Sequence, residues 1–499
     1  VLKVFRPNAL RTLRVLAATT TGALSFAGAS ASELAIAPET MVRIGTIDKR
    51  FQSYNIEMVE VTGGRFWKPY DSQSQPQSDH FEYRPPIDLA NPKLRGLASA
   101  LAPAYLRVSG SWANATYFAD PDSASRPPAG FDGVLSREQW QGLVDFSKAV
   151  GAEIVTSFAV SPGTRDAAGI WSPDQARRLL TYTRAIGGRI VAAEFMNEPN
   201  IAVNGRSAAS SDVASYTRDF RAFVALVKES FPEILILAPG TAGEAASASE
   251  LVASAVGSFD AISYHYYGTV SERCSGRSLP AEAHSEQRLA QTDRTLAFYR
   301  SLRDTFAPGK PIWLTETAEA ACGGNRWDAT FLDTFRYLDQ LGRLAAGGVE
   351  VVMHNTLAAS DYGLLDERTF EPRPNFWSAL LWRRLMGDVV LDPGVPVTTG
   401  LRLYAHCQRG VPGGISVLII NVGEASHAVI LPVTAERYEL QATRVQDKGV
   451  LLNGVPLQMG PRGDLPPIAG LPIVAGASAI APATIVFLTV PKAANKACQ

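Results

Sequence analysis

Only four cysteines occur in this chain, Cys274, Cys322, Cys407 and Cys498, and no Cys-x-x-Cys or His-x-His spacing is present. The usual spacings of a zinc site are therefore missing, and neither a metal nor an organic cofactor is expected. A Lys/Arg-rich stretch is missing too, and 47 basic against 48 acidic residues leave a formal net charge of −1. That balance argues against nucleic acid as a partner and against dependence on long sulfated chains. Beyond the N-terminus, no charge-free apolar run is long enough to span a bilayer. No internal repeat of solenoid period is visible.

With 499 residues, 46% of them hydrophobic, the chain is too long for one ordinary compact core. A barrel of roughly 250 or more residues plus a second module is the natural division. Residues 1–31 read as a signal peptide. Lys3, Arg6, Arg11 and Arg14 form a basic region, Val15 to Phe26 is apolar, and small residues follow from Ala27 to Ala31. No acidic residue precedes Glu33. The mature protein is thus expected in the periplasm or the medium, as a monomer free of membrane. Export permits disulfides, and four cysteines allow three pairings. Cys274–Cys322 is favoured because both fall in loops on one barrel face. Cys407–Cys498 would then tie the last module to its own tail, with four free thiols as the competing state.

Apolar β-rich runs alternate with longer helical patterns, the mark of repeated βα units. Eight strands are expected, at Phe51–Met58, Ala104–Ser109, Ala152–Val160, Ile190–Met196, Ile234–Ala238, Ala261–His265, Pro311–Thr315 and Glu350–His354. They predict an α/β fold, a (β/α)8 TIM barrel over residues 51–386. Helical patterns lie between them, among them Ser136–Val150 and Asp328–Ala345. A long polar stretch, Glu60 to Asp88, carries Trp67, Tyr70 and Tyr83, a candidate wall for a sugar ring. After about Gly387 the helical period stops and short β-type runs follow, predicting an antiparallel β-sandwich over 387–499. Residues 32–50 are β-like and are expected to add a strand to that sandwich.

The chemistry-bearing signal is a pair of strand ends. Asn197-Glu198-Pro199 closes strand four, and Thr315-Glu316-Thr317 closes strand seven. Strand tips at that end of a barrel carry its active site. Two carboxylates facing each other there can cleave a glycosidic bond. If strand four holds far enough, alternation puts Glu194, Met196 and Glu198 on one face. Arg107 and Glu194 are expected inside the barrel, where a charge needs a partner. Arg107 can hold Glu316 ionised, pair with Glu194, or do both. Tyr267, at the end of the His265-Tyr266-Tyr267 strand, is a candidate to orient Glu316 or to join an aromatic core. Glu57 and Asn197 are candidates for gripping sugar hydroxyls, and Asn114 is a further substrate-binding candidate.

These segments resemble the retaining (β/α)8 glycosidases, and further matches narrow the resemblance to glycoside hydrolase family 79, the β-glucuronidases and heparanases. The matches are Ser53-Tyr54-Asn55-Ile56-Glu57, Pro103 to Gly110, His265-Tyr266-Tyr267, Asp361 to Asp366, and Pro374-Asn375-Phe376-Trp377. The resemblance implies Glu198 as acid/base and Glu316 as nucleophile. It also implies that Tyr362 and the backbone around Ser360 and Gly323 hold a glucuronic carboxylate. One departure stands out. Heparanases place a Tyr-Gly-Gly turn after the nucleophile, where this chain has Ala321-Cys322-Gly323-Gly324. The short Ala119–Gly133 stretch, in place of a removable linker, suggests an uncleaved single chain. Competing functions are a glycosidase of the same clan acting on neutral sugars (xylosidase or arabinofuranosidase type) and a non-catalytic sugar-binding barrel.

Overall fold

The computed structural model describes residues 33–72, 79–119, 126–201, 212–395, 400–460 and 463–499. The expected leader over 1–31 lies outside them. Eight parallel strands form a closed barrel: β1 (Gln52–Glu57), β2 (Ala104–Ser109), β3 (Ala152–Thr156), β4 (Ile190–Glu194), β5 (Leu235–Ala242), β6 (Ala261–Val270), β7 (Ile312–Ala321) and β8 (Val351–His354). β8 pairs with β1 and shuts the cylinder.

Alternation decides what fills it. Tyr105, Val155, Val191, Leu237, Trp313 and Met353 pack together inside the lower barrel, with the Tyr105 and Trp313 rings 4.9 Å apart. Two residues further along β2, Arg107 enters the interior above this apolar layer. The intervening residues Ile56, Leu106 and Leu314 point outward into the main core beneath the helices. Helix Arg137–Val150 shows how local sequence fixes an element. Ser136 accepts a hydrogen bond from the Gln139 amide at 3.1 Å, and the helix ends at Gly151 with φ 66°.

Beyond the barrel, a nine-stranded sheet faces a three-stranded one. Strand Ile415–Asn421 shows why every one of its residues is buried. Val417 and Ile419 face the three-stranded sheet, while Leu418 and Ile420 face the barrel. Segment Arg43–Thr46 joins the large sheet antiparallel, and Glu33–Ala35 joins the small one parallel to His427–Leu431.

Several boundaries differ from expectation. β3 stops at Thr156 and β4 at Glu194, while β5, β6 and β7 run past the expected ends. β6 and β7 stay paired as far as Val270 and Ala321, so hydrogen bonding carries them above the mouth. The stretch from Glu60 to Asp88 is partly regular. Helix Met58–Thr62 opens it, and strands Gly64–Trp67 and Phe81–Arg84 form a hairpin across the mouth.

Candidate active site

Arg107 is the hub of the interior. Only 1% exposed, it donates through Nη1 to Glu316 Oε2 at 2.8 Å. Its Nε and Nη2 donate to Glu194 Oε2 at 3.0 and 2.8 Å, and Nη2 also donates to Asn197 Oδ1 at 2.8 Å. Both pairings considered for Arg107 are therefore present at once. Thr315 Oγ1 donates to the other Glu194 oxygen at 2.8 Å.

Thr315 and Glu316 are consecutive, yet both face inward, which a regular strand forbids. A bulge explains it. The β6–β7 register shifts between Tyr264 and His265, which pair with Leu314 and Glu316. The extra residue re-aims Glu316 into the mouth, a common use of bulges beside active sites. Tyr267 then donates to Glu316 Oε1 at 2.6 Å, and Asn355 donates to the Tyr267 oxygen at 2.9 Å.

Glu198 reaches the mouth by another route. β4 has ended at Glu194, so strand alternation does not place it, and Glu198 has φ 46°, in the left-handed region. The chain turns there and carries the carboxylate over His265, whose Nδ1 lies 3.0 Å from Glu198 Oε1. Arg107 Nη2 points at His265 Nε2 from 3.1 Å. His265 thus sits between the Arg107 guanidinium and the Glu198 carboxylate.

Charge separates the carboxylates. Burial opposes ionisation of Glu316, but His265, Arg107 and the hydrogen bonds from Tyr267 and Arg107 outweigh it and hold its pKa below the ordinary value. Glu57 lies nearby, and burial and the Glu316 charge push its pKa well up. Ionisation is thus favoured on Glu316 and opposed on Glu57. For His265, burial and Arg107 oppose a charge, Glu316 and Glu198 favour it, and the net is a raised pKa. Glu198, His265 and Glu316 each offer an atom within 4.8 Å of the others. The Arg107 guanidinium against two of them already supplies the local positive charge, which disfavours a metal ion.

A cavity of about 420 Å³ opens over these groups, lined by Glu57, Glu198, Tyr267, Glu316, Asn355 and Tyr362 below and by Trp67, Phe81 and Trp112 on its wall. Trp67 stacks on Phe81 at 4.4 Å. A larger cavity, about 600 Å³, lies between the barrel and the sandwich, and neither glutamate lines it.

Not every expected contact residue faces the cavity. Asn114 spends its amide on the Asn197 backbone, donating to Asn197 O at 2.8 Å and accepting from Asn197 N at 2.9 Å. It is a clamp behind Asn197. The Ser360 amide donates to Glu367 and its hydroxyl to Gly323 O, so Ser360 supports the Gly323 turn from beneath. Tyr362 lines the cavity. Tyr83 is 69% exposed and outside the wall, and Tyr70 lies beneath the Arg273 guanidinium. Disulfides join Cys274 to Cys322, beside the cavity, and Cys407 to Cys498. Asn355 and Arg273 were missed from sequence. Alternation from Met353 would have found Asn355; no pattern marks Arg273.

Residues 86–342 match the family model described as "Glycosyl hydrolase family 79, N-terminal domain". The chain belongs to glycosyl hydrolase family 79. Heparanase-like protein 1 of Arabidopsis thaliana is 27% identical over 389 residues, covering 73% of this chain and 70% of that protein. The heparanase of Mus musculus is 27% identical over 480 residues, covering 82% and 88%. Among solved structures, the GH51 arabinofuranosidase from Xanthomonas axonopodis pv. citri superposes with a TM-score of 0.62 over 89% of this chain and 97% of that one, at 16% identity. That likeness carries the fold alone, a (β/α)8 barrel with a β-sheet domain. As a heparanase-like family 79 chain, this one is a glycoside hydrolase by descent. Among the described residues, no helix is long and apolar enough to cross a membrane.

Proposed function

We propose that this chain is a retaining hydrolase of β-linked glucuronic acid, with Glu198 as acid/base and Glu316 as nucleophile. One observation carries the proposal: oxygens of the two carboxylates lie within 4.8 Å of each other over a sugar-sized cavity. Retaining enzymes hold their carboxyl groups about 5–5.5 Å apart, whereas inverting ones need about 6.5–9.5 Å to admit a water.

In the first step Glu198 gives its proton to the leaving oxygen as a Glu316 oxygen attacks the anomeric carbon. Arg107 and Tyr267 keep Glu316 ionised and aimed. His265 occupies Glu198 Oε1, which leaves Oε2 for the leaving group. Water then enters and, as Glu198 takes its proton, the water oxygen attacks the anomeric carbon, the bond to Glu316 breaks, and glucuronic acid leaves with net retention. Asn197 offers its Nδ2 to a sugar hydroxyl, since Oδ1 accepts from Arg107. Glu57, whose ionisation burial and the Glu316 charge oppose, grips another hydroxyl. The Tyr362 hydroxyl and the Gly323–Gly324 amides receive the C5 carboxylate; neutral donors of this kind bind anions without a fixed charge. The likeness to heparanases supports the glucuronide choice. The two disulfides support folding in an oxidising compartment, hence export.

The test is a panel of 4-nitrophenyl glycosides. Preference for the β-glucuronide over the xyloside and arabinofuranoside supports the proposal. Preference for the neutral glycosides overturns it.

A further inference from the structure

Arg273 lines the cavity on the side assigned to the carboxylate, where a guanidinium invites assignment as the substrate's counter-ion. Its hydrogen bonds say otherwise. Nη1 donates to Cys322 O at 3.2 Å and to Gly324 O at 2.8 Å. Nη2 donates to Lys68 O and to the Asp361 carboxylate. Three carbonyls and one carboxylate thus engage both terminal nitrogens of a side chain only 8% exposed. The plane of the guanidinium lies over the Tyr70 ring, 3.8 Å from its centroid.

The acceptors come from three places in the chain and Arg273 from a fourth. Lys68 and Tyr70 follow β1, Arg273 itself follows β6, Cys322 and Gly324 follow β7, and Asp361 follows β8. Other bonds cross the same seam. Tyr70 N donates to Asp361 Oδ2 at 3.2 Å, the Tyr70 and Ser271 hydroxyls lie 2.8 Å apart, and Asp361 N donates to Gly323 O at 3.1 Å. A covalent tie runs alongside, Cys274–Cys322, and both sulfur residues line the cavity. Cys322 sits at φ 63°, a conformation unfavourable for a residue with a side chain unless its surroundings hold it. Gly323 and Gly324 follow at φ 82° and 89°. A Cβ at Gly323 would lie 2.4 Å from Trp67 Cβ, and one at Gly324 would lie 2.8 Å from Asp328 Oδ2. The turn is therefore wedged between neighbours and held from one side by this seam.

We propose that Arg273 and the Cys274–Cys322 disulfide form one latch, a positioning device that sets the Gly323–Gly324 turn against Tyr362 and so determines how tightly the terminal sugar is held. Arg273 acts through the backbone it fixes and does not touch the substrate. The proposal rests on the function proposed above for the identity of the sugar, and the experiment separates the two.

Lysine and methionine at position 273 discriminate the roles. Lys keeps the charge but has a single nitrogen, which cannot reproduce the fork that reaches all four acceptors. A latch predicts that R273K and R273M both raise KM for 4-nitrophenyl β-glucuronide, about tenfold or more, with kcat changed less than about threefold and the acidic limb of the pH profile unmoved. A counter-ion predicts that R273K stays near wild type while R273M weakens, and that result overturns the proposal. An unmoved KM in both variants overturns it as well. Should the variants at 273 fail to fold, C274S/C322S reads the same device from its covalent side. A raised KM there supports the latch, and a wild-type KM refutes it. If the wild type prefers a neutral aryl glycoside, the glucuronide assignment fails. The latch is then judged by the KM shift on that glycoside.

Discussion

Replacing Arg107 with Met removes the guanidinium that two buried carboxylates share. Arg107 is 1% exposed, Glu194 is fully buried and Glu316 is 5% exposed, so solvent cannot screen the loss. Four hydrogen bonds of 2.8 to 3.0 Å disappear together. Glu194 keeps Thr315, and Glu316 keeps Tyr267. Breaking a buried pair by deleting one partner costs about 3–5 kcal/mol, and a shared partner places R107M at the upper end of that range. The pH dependence follows from the signs. Folding lowers the pKa of both Glu194 and Glu316, so their stabilisation is present above the ordinary glutamate value of 4.5 and is lost as pH falls through the folded values. The stability gap between wild type and R107M should be full at neutral pH and shrink below about pH 4.5. With Arg107 gone, burial raises the Glu316 pKa, and the acidic limb of kcat/KM moves to higher pH. Urea midpoints at neutral and acid pH, together with the pH–rate profile, measure both effects. A folded R107M with an unmoved urea midpoint and an unmoved acidic limb would refute the reasoning.

Glu198→Ala should lower kcat by about 10²–10⁴-fold on substrates with poor leaving groups, and azide should restore turnover by entering the space of the missing carboxylate. Failure of azide to rescue, or a wild-type rate, counts against Glu198 as acid/base. Gly110→Ala places a Cβ 1.4 Å from Glu57 Oε2 at a residue with φ 84°, so Glu57 must move. Activity should fall by about a hundredfold while folding persists, judged by kcat/KM beside circular dichroism. Cys407→Ser with Cys498→Ser opens a link between residues 91 apart and should cost about 2–5 kcal/mol of stability, seen as a lower denaturation midpoint at unchanged kcat.

Strand positions were legible because buried parallel strands read as short apolar runs, and Arg107 and Glu194 announced themselves as charges within such runs. The mouth was harder. Glu198 reaches it through a left-handed turn rather than by alternation, and no local pattern marks that turn. Thr315 and Glu316 both face inward because of a bulge, which a period of two cannot represent. Asn114 was a substrate-binding candidate; only the fold shows that the Asn197 backbone consumes its amide. Arg273 lies in a single 3-10 turn, Glu272–Cys274, too short to show a period, and three of its four acceptors are backbone carbonyls, which carry no sequence signature.

The most direct test is covalent trapping. Incubation with 2,4-dinitrophenyl 2-deoxy-2-fluoro-β-glucuronide, followed by peptide mass spectrometry, should find a fluoroglucuronyl ester on the peptide carrying Glu316. An ester on another residue, or release of the dinitrophenol with no adduct at all, would contradict Glu316 as the nucleophile of a retaining glucuronidase.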